Sequence, residues 1–203
     1  MKHLVWFAPM LYFVVTWFFP WESIQWNSTV SISYLFDILF CLSCFFVFKL
    51  PIRVGTQDLK GAVSRLIAVV SVAVFSLLMT NLFVLPAPFK YIEFLLLQIL
   101  ILAPLIEEFI FRYAIFGVTE KYFKNKNYLL FSNALMFSLS HAPAIFLFPT
   151  EFHGFIYAQL SYTFFLGWIC AKARLKTGSV IEPIILHFIF NLIFYIAIIK
   201  GII

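Results

Sequence analysis

Charged residues are scarce in this chain. Only 11% of its 203 residues are Asp, Glu, Lys or Arg, against roughly a quarter in an ordinary soluble domain. A soluble globular domain is therefore excluded. Hydrophobic residues make up 64% of the chain, and a membrane-spanning helix takes about 20 of them, so there is room for six or seven spans. The residues outside these spans suffice for short loops but not for a separate soluble domain.

Several catalytic motifs are also missing. The sequence contains no His-Glu-x-x-His zinc helix and no Gly-x-Ser-x-Gly nucleophile elbow, which argues against the metalloproteases and hydrolases that depend on them. Aspartate occurs only at Asp37 and Asp58. Ser140 and His141 are adjacent, and adjacent residues of a helix point to different faces, so a Ser–His dyad is not expected there.

Apolar runs of spanning length predict seven transmembrane helices. We therefore expect an all-α polytopic bundle that forms one transmembrane domain over residues 1–203, with N-terminal spans in 1–90 and a catalytic core in 91–200. The first run lacks a small-x-small cleavage site, so it is predicted to be a retained span and not a signal peptide. The predicted spans are 4–20, 30–50, 66–87, 91–117, 128–149, 154–173 and 180–200.

Lysine and arginine predict the orientation. Eleven of the fourteen basic residues fall at the N-terminus or in the even-numbered loops. The positive-inside rule then places the N-terminus in the cytoplasm and the C-terminus outside the cell membrane. The net charge of +5 is explained by this bias and requires no nucleic-acid partner. The loop residues counted are Lys49, Arg53, Lys60, Arg65, Lys121, Lys124, Lys126, Lys172, Arg174 and Lys176.

The fourth span contains three charges within six residues, at Glu107, Glu108 and Arg112. Each unpaired charge costs about 2.5–3.5 kcal/mol at the centre of a spanning helix. Glu108 and Arg112 are four residues apart, so an ion pair within the helix offsets part of that penalty. Glu107 then has no partner in its own helix. A functional site explains this pattern better than a purely structural ion pair does.

Two of the four histidines, His141 and His187, lie well inside apolar runs, and Asn191 follows His187 by one helical turn. Counted at 1.5 Å per residue from the predicted cytoplasmic end of each span, these residues and Glu107 lie about 10–20 Å deep. Four polar side chains are thus predicted to meet near the middle of the bilayer. Pro104 and Pro143 adjoin them, and each can interrupt backbone hydrogen bonding and open a cavity.

These groups have the chemistry of an amide hydrolase. A desolvated carboxylate beside an imidazole can act as a general base and make a nucleophile of water. A second histidine and an asparagine amide on one helical face can donate hydrogen bonds to the oxyanion of a tetrahedral intermediate. The economical interpretation is hydrolysis of a peptide bond inside the membrane.

Three motifs carry a resemblance to a known family. Glu107-Glu108-x-x-x-Arg112, Phe137-x-x-x-His141 and His187-x-x-x-Asn191, in this order, resemble the CPBP family, also called the Abi family. That family comprises CAAX-processing endopeptidases, bacteriocin-processing and self-immunity proteins, and lysostaphin resistance protein A-like proteins. The similarity spans about residues 91–200. Tyr113 departs from the family pattern, in which glycine often follows the arginine.

The resemblance implies a glutamate-dependent intramembrane protease, and we expect it to work without a cofactor, although members of the family were long described as metalloproteases. In it Glu107 and His141 activate water, His187 and Asn191 stabilise the oxyanion, and Glu108 and Arg112 have supporting roles. The implied substrate is a membrane-embedded or lipid-anchored peptide: a CAAX-type tail, a leader peptide or a C-terminal anchor.

Three alternatives stay open. Glu107, His141 and His187 are the residue types of a two-histidine, one-carboxylate zinc site. The chain could instead be a non-catalytic immunity or scaffold protein of the same family. A small proton-coupled transporter is the third reading, although no internal repeat of the kind many transporters show is present.

Overall fold

Helix is the only regular secondary structure in the described part of the chain, which comprises residues 4–19, 32–51, 55, 58–88 and 98–202 of a computed structural model. The helix that we call α4 is a run of four consecutive segments. Short helical turns at Ala144–Leu147 and Thr150–Phe152 connect α5 to α6. The helices are α1 (Leu4–Phe18), α2 (Ile32–Phe48), α3 (Leu59–Leu82), α4 (Gln98–Leu102, Ala103–Glu108, Phe109–Ile115 and Phe116–Thr119), α5 (Lys126–Leu139), α6 (His153–Thr177) and α7 (Ile181–Ile199).

Helices lie at all seven predicted positions, although residues 91–97 of the predicted fourth span lie outside the described residues. Four helical stretches are long and apolar enough to cross a membrane, and α1 and α2 are shorter apolar helices. Large apolar side chains such as Phe46 and Phe75 are exposed on their outer surfaces, as expected of helices that face lipid. The predicted all-α membrane bundle is confirmed. The four stretches are Leu59–Leu82, Lys126–Leu147, Thr150–Thr177 and Ile181–Ile199.

Two helices differ in detail from the predicted spans. The third helix begins at Leu59, before the apolar run that starts at residue 66, because Asp58 caps it by accepting a hydrogen bond from the Gly61 amide. The candidate span Lys126–Leu147 agrees with the predicted span 128–149, but its helix is interrupted after Leu139. Pro143 lacks an amide hydrogen and disfavours helix in the residue before it, which accounts for the break.

The helices pack around an aromatic core. The α5–α6 contact is the most extensive in the bundle, and it is close because Gly167 faces α5. A Cβ atom there would lie 3.0 Å from the Phe137 ring and 3.1 Å from the Ala134 backbone. The wholly buried Phe137 ring also packs edge-on against Phe111 of α4. Small and aromatic residues therefore set the spacing of α4, α5 and α6.

An ion cluster joins the first turns of α3 and α7. Arg65 donates hydrogen bonds to both carboxylate oxygens of Glu182, Nε to Oε1 at 2.6 Å and Nη2 to Oε2 at 3.0 Å. Its Nη1 lies 3.1 Å from Asp58 Oδ2. These bonds from Arg65, with the Gly61 amide, lower the pKa of the Asp58 carboxyl. The two helices therefore start at the same end of the bundle.

Six of the residues counted among the loop charges lie in helices, and two of these, Arg65 and Arg174, are buried in the bundle. The six are Lys60, Arg65, Lys126, Lys172, Arg174 and Lys176. Arg65 lies in the second turn of α3, and Arg174 lies in α6; both are buried. Arg174 donates from Nε to the Arg112 carbonyl, and its guanidinium lies 5.6 Å from the centre of the Phe116 ring. The expectation that both lie in solvated loops was wrong, because a neighbouring helix supplies each with a partner.

We expect Glu182→Gln to destabilise the bundle, because it removes the charge that pairs with the buried Arg65. Hydrogen bonds to charged groups contribute about 1.5–3 kcal/mol, and a loss in that range is the expected result. Thermal unfolding of the purified protein in detergent measures it. Glu151→Gln, the same change at an exposed residue between α5 and α6, is the matched control. Equal melting temperatures for the two variants would contradict a structural role for the cluster.

Candidate active site

A cavity of about 220 Å³ lies between α4, α6, α7 and the chain that follows α5. The side chains of Glu107, His141, His187 and Asn191 all line it. These are the four residues that the sequence predicts at one depth, and the structure brings them together although they come from three separate segments. Apolar side chains of α6 and α7, among them Phe190, form much of the remaining wall.

Glu108 and Arg112 lie beside this cavity and not in its lining. Both are wholly buried, and Arg112 Nε lies 3.0 Å from Glu108 Oε2. The distance is short enough for an ion pair. The two atoms do not form a hydrogen bond, however, because neither has a hydrogen-bond partner among the described residues. The pair expected from the spacing is therefore present as a charge contact.

The Arg112 guanidinium takes its other contacts from α5 and α6. Its Nη2 donates to the Gly167 carbonyl at 3.1 Å. Its Cζ lies 4.3 Å from the centre of the Phe137 ring, close enough for a cation–π interaction. Because the same ring packs edge-on against both His141 and His187, Arg112 and the two histidines share one aromatic partner.

Glu108 also holds His187. The two are 79 residues apart in sequence, and His187 Nδ1 lies 2.9 Å from Glu108 Oε1. Since Glu108 carries the charge that balances Arg112, we assign the Nδ1 proton to His187 as the donor. Nε2 of the same ring is then directed to the cavity side, where it lies 3.9 Å from Glu107 Oε2. The motif spacing gives no sign of this contact.

Glu107 differs from Glu108 in its surroundings. Its side chain is 28% exposed and it faces the cavity. The Oε2 atom is buried and has no hydrogen-bond partner in the described part of the chain. The structure therefore leaves Glu107 in reach of a molecule in the cavity, while Glu108 is committed to Arg112 and His187.

His141 lies just past the end of α5, in the turn that Pro143 creates. Its Nδ1 lies 3.0 Å from the Phe137 carbonyl oxygen. A proton on Nδ1 makes that contact a hydrogen bond and leaves Nε2 as an acceptor. No hydrogen bond or ion pair joins His141 to Glu107 in the described structure, so any joint action must pass through a molecule between them.

The prediction that Ser140 points away from His141 was wrong. Ser140 Oγ lies 3.3 Å from His141 Nδ1. The helix ends at Leu139, so the angular spacing of a helix does not apply to this pair. The Ser140 hydroxyl donates to the Phe137 carbonyl at 2.7 Å, and Ser140 does not line the cavity. The contact supports the histidine without making the serine a nucleophile.

Two stretches of α4 are π-helical, and side chains from other helices bond to their carbonyls. In Phe109–Ile115 the Phe116 amide bonds back to the Phe111 carbonyl, five residues earlier. That carbonyl also accepts from Asn133 Nδ2 at 2.9 Å. In Gln98–Leu102 the Ile99 carbonyl accepts from Asn191 Nδ2 at 2.8 Å. Since π-helical turns are frequent at functional sites, their position on both sides of the two glutamates fits such a site.

The bond to Ile99 fixes the Asn191 amide at the cavity wall. A side-chain amide group carries two N–H donors, and only one of them is required by the Ile99 carbonyl. The second remains for a group inside the cavity. Asn191 therefore presents a donor to the cavity, and His187, one turn earlier on α7, presents its Nε2 atom to the same space.

Helix α6 also contributes side chains to the cavity, which the motifs in the sequence did not indicate. Gln159 and Thr163 line the cavity from this helix, together with Tyr162. Thr163 bonds to the Gln159 carbonyl within the helix, whereas the Gln159 side chain is half-buried at the wall. An amide there can both donate to and accept from a peptide backbone. The sign of this contribution in the sequence was Gln159, a polar residue one helical turn before Thr163 in a mostly apolar run.

The three candidate zinc ligands do not form a metal-binding cluster in the described structure. Among the described residues, no three His, Cys, Asp or Glu side chains lie close enough together to hold a metal ion. That holds for Glu107, His141 and His187, the three candidate zinc ligands. The Nδ1 atoms of both histidines face protein oxygens.

The contrast between the two glutamates yields a prediction. Glu108→Gln leaves the buried Arg112 without its counter-charge, and breaking such a buried pair costs about 3–5 kcal/mol. We expect a large loss of thermal stability or of folded protein. Glu107→Gln, at a partly exposed residue, should unfold near the wild-type temperature. Similar unfolding temperatures for the two variants would contradict this division of roles.

Comparison with known families places the site within a family of endopeptidases. The family described as type II CAAX prenyl endopeptidase Rce1-like matches residues 88–193, about half of the chain. The matched region contains all seven named residues of the three motifs, so the resemblance is confirmed. No curated protein and no solved structure matches the chain. The chain therefore belongs to the Rce1-like family of type II CAAX prenyl endopeptidases.

Proposed function

We propose that the chain is a glutamate-dependent intramembrane endopeptidase that hydrolyses a peptide bond of a membrane-associated substrate. The observation that carries the proposal is the meeting of Glu107, His141, His187 and Asn191 in one cavity of a membrane bundle. The family match supports protease activity in general. A prenylated peptide with a CAAX-type tail is the first substrate class to test, followed by leader peptides and C-terminal anchors.

Glu107 and His141 are the proposed bases. A water between them can give one proton to the Glu107 carboxylate while its other hydrogen is donated to His141 Nε2, which orients the water oxygen. The oxygen then adds to the carbonyl carbon of the scissile bond. When the C–N bond breaks, the proton held by Glu107 passes to the leaving nitrogen. The free carboxylate oxygen of Glu107 and the fixed Nδ1 of His141 support these roles.

His187 and Asn191 are the proposed oxyanion donors. Asn191 offers its second amide hydrogen, since the first is held by the Ile99 carbonyl. His187 offers Nε2–H when the ring is protonated, and its Nδ1 is held in place by the Glu108 carboxylate. Donors held in place before the reaction lower its barrier because they need not reorient as charge develops.

The proposed location is the cell membrane, with the N-terminus in the cytoplasm and the C-terminus outside. Apart from Arg65 and Arg174, nine basic residues at the N-terminus and in or near the even-numbered loops favour this orientation. The Arg65–Glu182 bonds are consistent with it, because they join the starts of α3 and α7 at one end.

Glu107→Ala and His141→Ala should each reduce cleavage of a farnesylated CAAX peptide by about 10²- to 10⁴-fold, the usual contribution of a general base. Both variants should still insert and accumulate. Product formation by the purified protein in detergent, followed by mass spectrometry, measures the effect. Full activity of purified Glu107→Ala would overturn the mechanism.

Two surface substitutions serve as matched controls for these variants. Glu151→Ala and His153→Ala remove the same groups in and after the α5–α6 connection, away from the cavity. They should cleave at the wild-type rate. If Glu107→Gln also kept full cellular function, the immunity or scaffold role would be favoured instead.

We propose metal-free catalysis, so excess chelator should leave the cleavage rate unchanged. Elemental analysis of the purified protein should find zinc well below one atom per chain. The supporting observation is that the described His, Cys, Asp and Glu side chains form no three-ligand cluster. Stoichiometric zinc together with chelator-sensitive activity would overturn this assignment.

A further inference from the structure

The cavity that holds the proposed catalytic residues extends along the helices, and its two ends differ. On α7 its lining passes from His187, which is buried, to Ile198, which is half-buried. On α4 it passes from Glu107 to Ile99. These two helices are antiparallel, since His187 faces Glu107 while Asn191 bonds to the Ile99 carbonyl. The lining therefore becomes more exposed toward the end of the bundle at which α7 ends.

Helix α6 shows the same trend. It is antiparallel to α7, because the Cys170 thiol donates to the Pro183 carbonyl near the start of α7, while Tyr162 packs against Phe194 near its end. Along α6 the lining passes from Tyr162, which is buried, to Gln159, which is half-buried and about one turn closer to the start of the helix. We call the end formed by the start of α6 and the end of α7 the open end.

Buried side chains close the cavity toward the start of α7. Glu108 and Arg112 are wholly buried beside the catalytic residues, and Arg112 is bound to the Gly167 carbonyl and to the Phe137 ring. Cys170 follows on α6 and is also wholly buried. A second cavity of about 470 Å³ lies near this end, and in the described structure it shares no lining residue with the first. We call the end formed by the starts of α3 and α7 the closed end.

The two ends also differ in charge. Lys60 in the first turn of α3, Lys126 at the start of α5, and Lys172 and Lys176 near the end of α6 all belong to the closed end. The positive-inside rule places that end in the cytoplasm. The described lining of the catalytic cavity contains neither lysine nor arginine. In the proposed orientation the open end therefore faces the outside of the cell.

We propose that the substrate enters the cavity from the open end, so that the native substrate is a peptide segment that a membrane-anchored, exported protein presents at the outer face of the membrane. A CAAX-type tail in the cytoplasm would meet the closed end instead. The amides of Gln159 and Asn191 line the route, and a side-chain amide can pair with the backbone of an extended peptide. This inference rests on the proposed function, in which the cavity is the site of peptide hydrolysis.

The test labels single cysteines in right-side-out and inside-out membrane vesicles with MTSET, a cationic thiol reagent that does not cross membranes. The full chain is then purified and assayed in detergent, where the farnesylated CAAX peptide reaches both ends. Ile198→Cys should be labelled in right-side-out vesicles and should lose most of its activity, because the attached group fills the mouth of the cavity. A thiol reductant, which removes that group, should restore the activity.

Two further isoleucines of α7 are matched controls. Ile199 is 44% exposed at the same end and does not line the cavity, so Ile199→Cys should be labelled in right-side-out vesicles without losing activity. Ile181 is 52% exposed at the start of α7, so Ile181→Cys should be labelled only in inside-out vesicles. The wild-type chain, treated in the same way, gives the background from Cys41, Cys44 and Cys170, which are buried or half-buried.

Labelling is measured from the mass of the intact protein and does not depend on turnover. Protection of Ile198→Cys in right-side-out vesicles would overturn the inference, and so would a labelled Ile198→Cys that keeps its activity. Ile99→Cys, on the facing wall of α4, repeats the test if Ile198→Cys does not fold. Failure of the proposed function has a different signature, because the untreated wild-type chain would then cleave none of the CAAX, leader or anchor peptides, whatever the labelling pattern.

Discussion

The fully buried charge of Arg112 constrains the rest of the bundle. An arginine without compensation inside a membrane protein is costly, and this one is compensated by contacts from three directions. Glu108 supplies the counter-charge, Gly167 a carbonyl, and Phe137 an aromatic face. Because these partners belong to α4, α5 and α6, satisfying the charge fixes how the three helices meet. The proposed catalytic residues depend on that arrangement, since His187 is held by the same Glu108.

The π-helical stretches of α4 explain how one helix serves both stability and chemistry. A wider turn redirects carbonyl groups so that they no longer bond only along the helix axis. The carbonyls of Phe111 and Arg112 are reached by Asn133 and Arg174, while that of Ile99 orients Asn191 at the cavity. Hydropathy alone would count these polar residues as unfavourable in a membrane. In the structure they donate hydrogen bonds to the backbone of α4. Tyr113, which departs from the family pattern, has a comparable role, because its hydroxyl donates to the Leu50 carbonyl at the end of α2.

Sequence patterns predict what depends on local spacing. Hydropathy runs predicted the positions of the helices, and the i,i+4 spacing predicted the Glu108–Arg112 pair. Contacts between distant segments have no such signal, so the Glu108–His187 bond was not foreseen. Local rules also fail where a helix ends. The Asp58 cap extended α3 beyond its apolar run, and the turn after Leu139 brought Ser140 beside His141.

The two adjacent glutamates show why burial, and not residue type, decides a role in this membrane. Glu108 is completely buried between Arg112 and His187, and both of its carboxylate oxygens contact these two residues. Glu107 is one position along the same helix, which turns it toward the cavity and leaves one oxygen without a partner among the described residues. A base must exchange a proton with water, and only the second environment allows that. The rotation of about 100° between neighbouring helical residues is enough to separate the group that stabilises the bundle from the group proposed to do the chemistry.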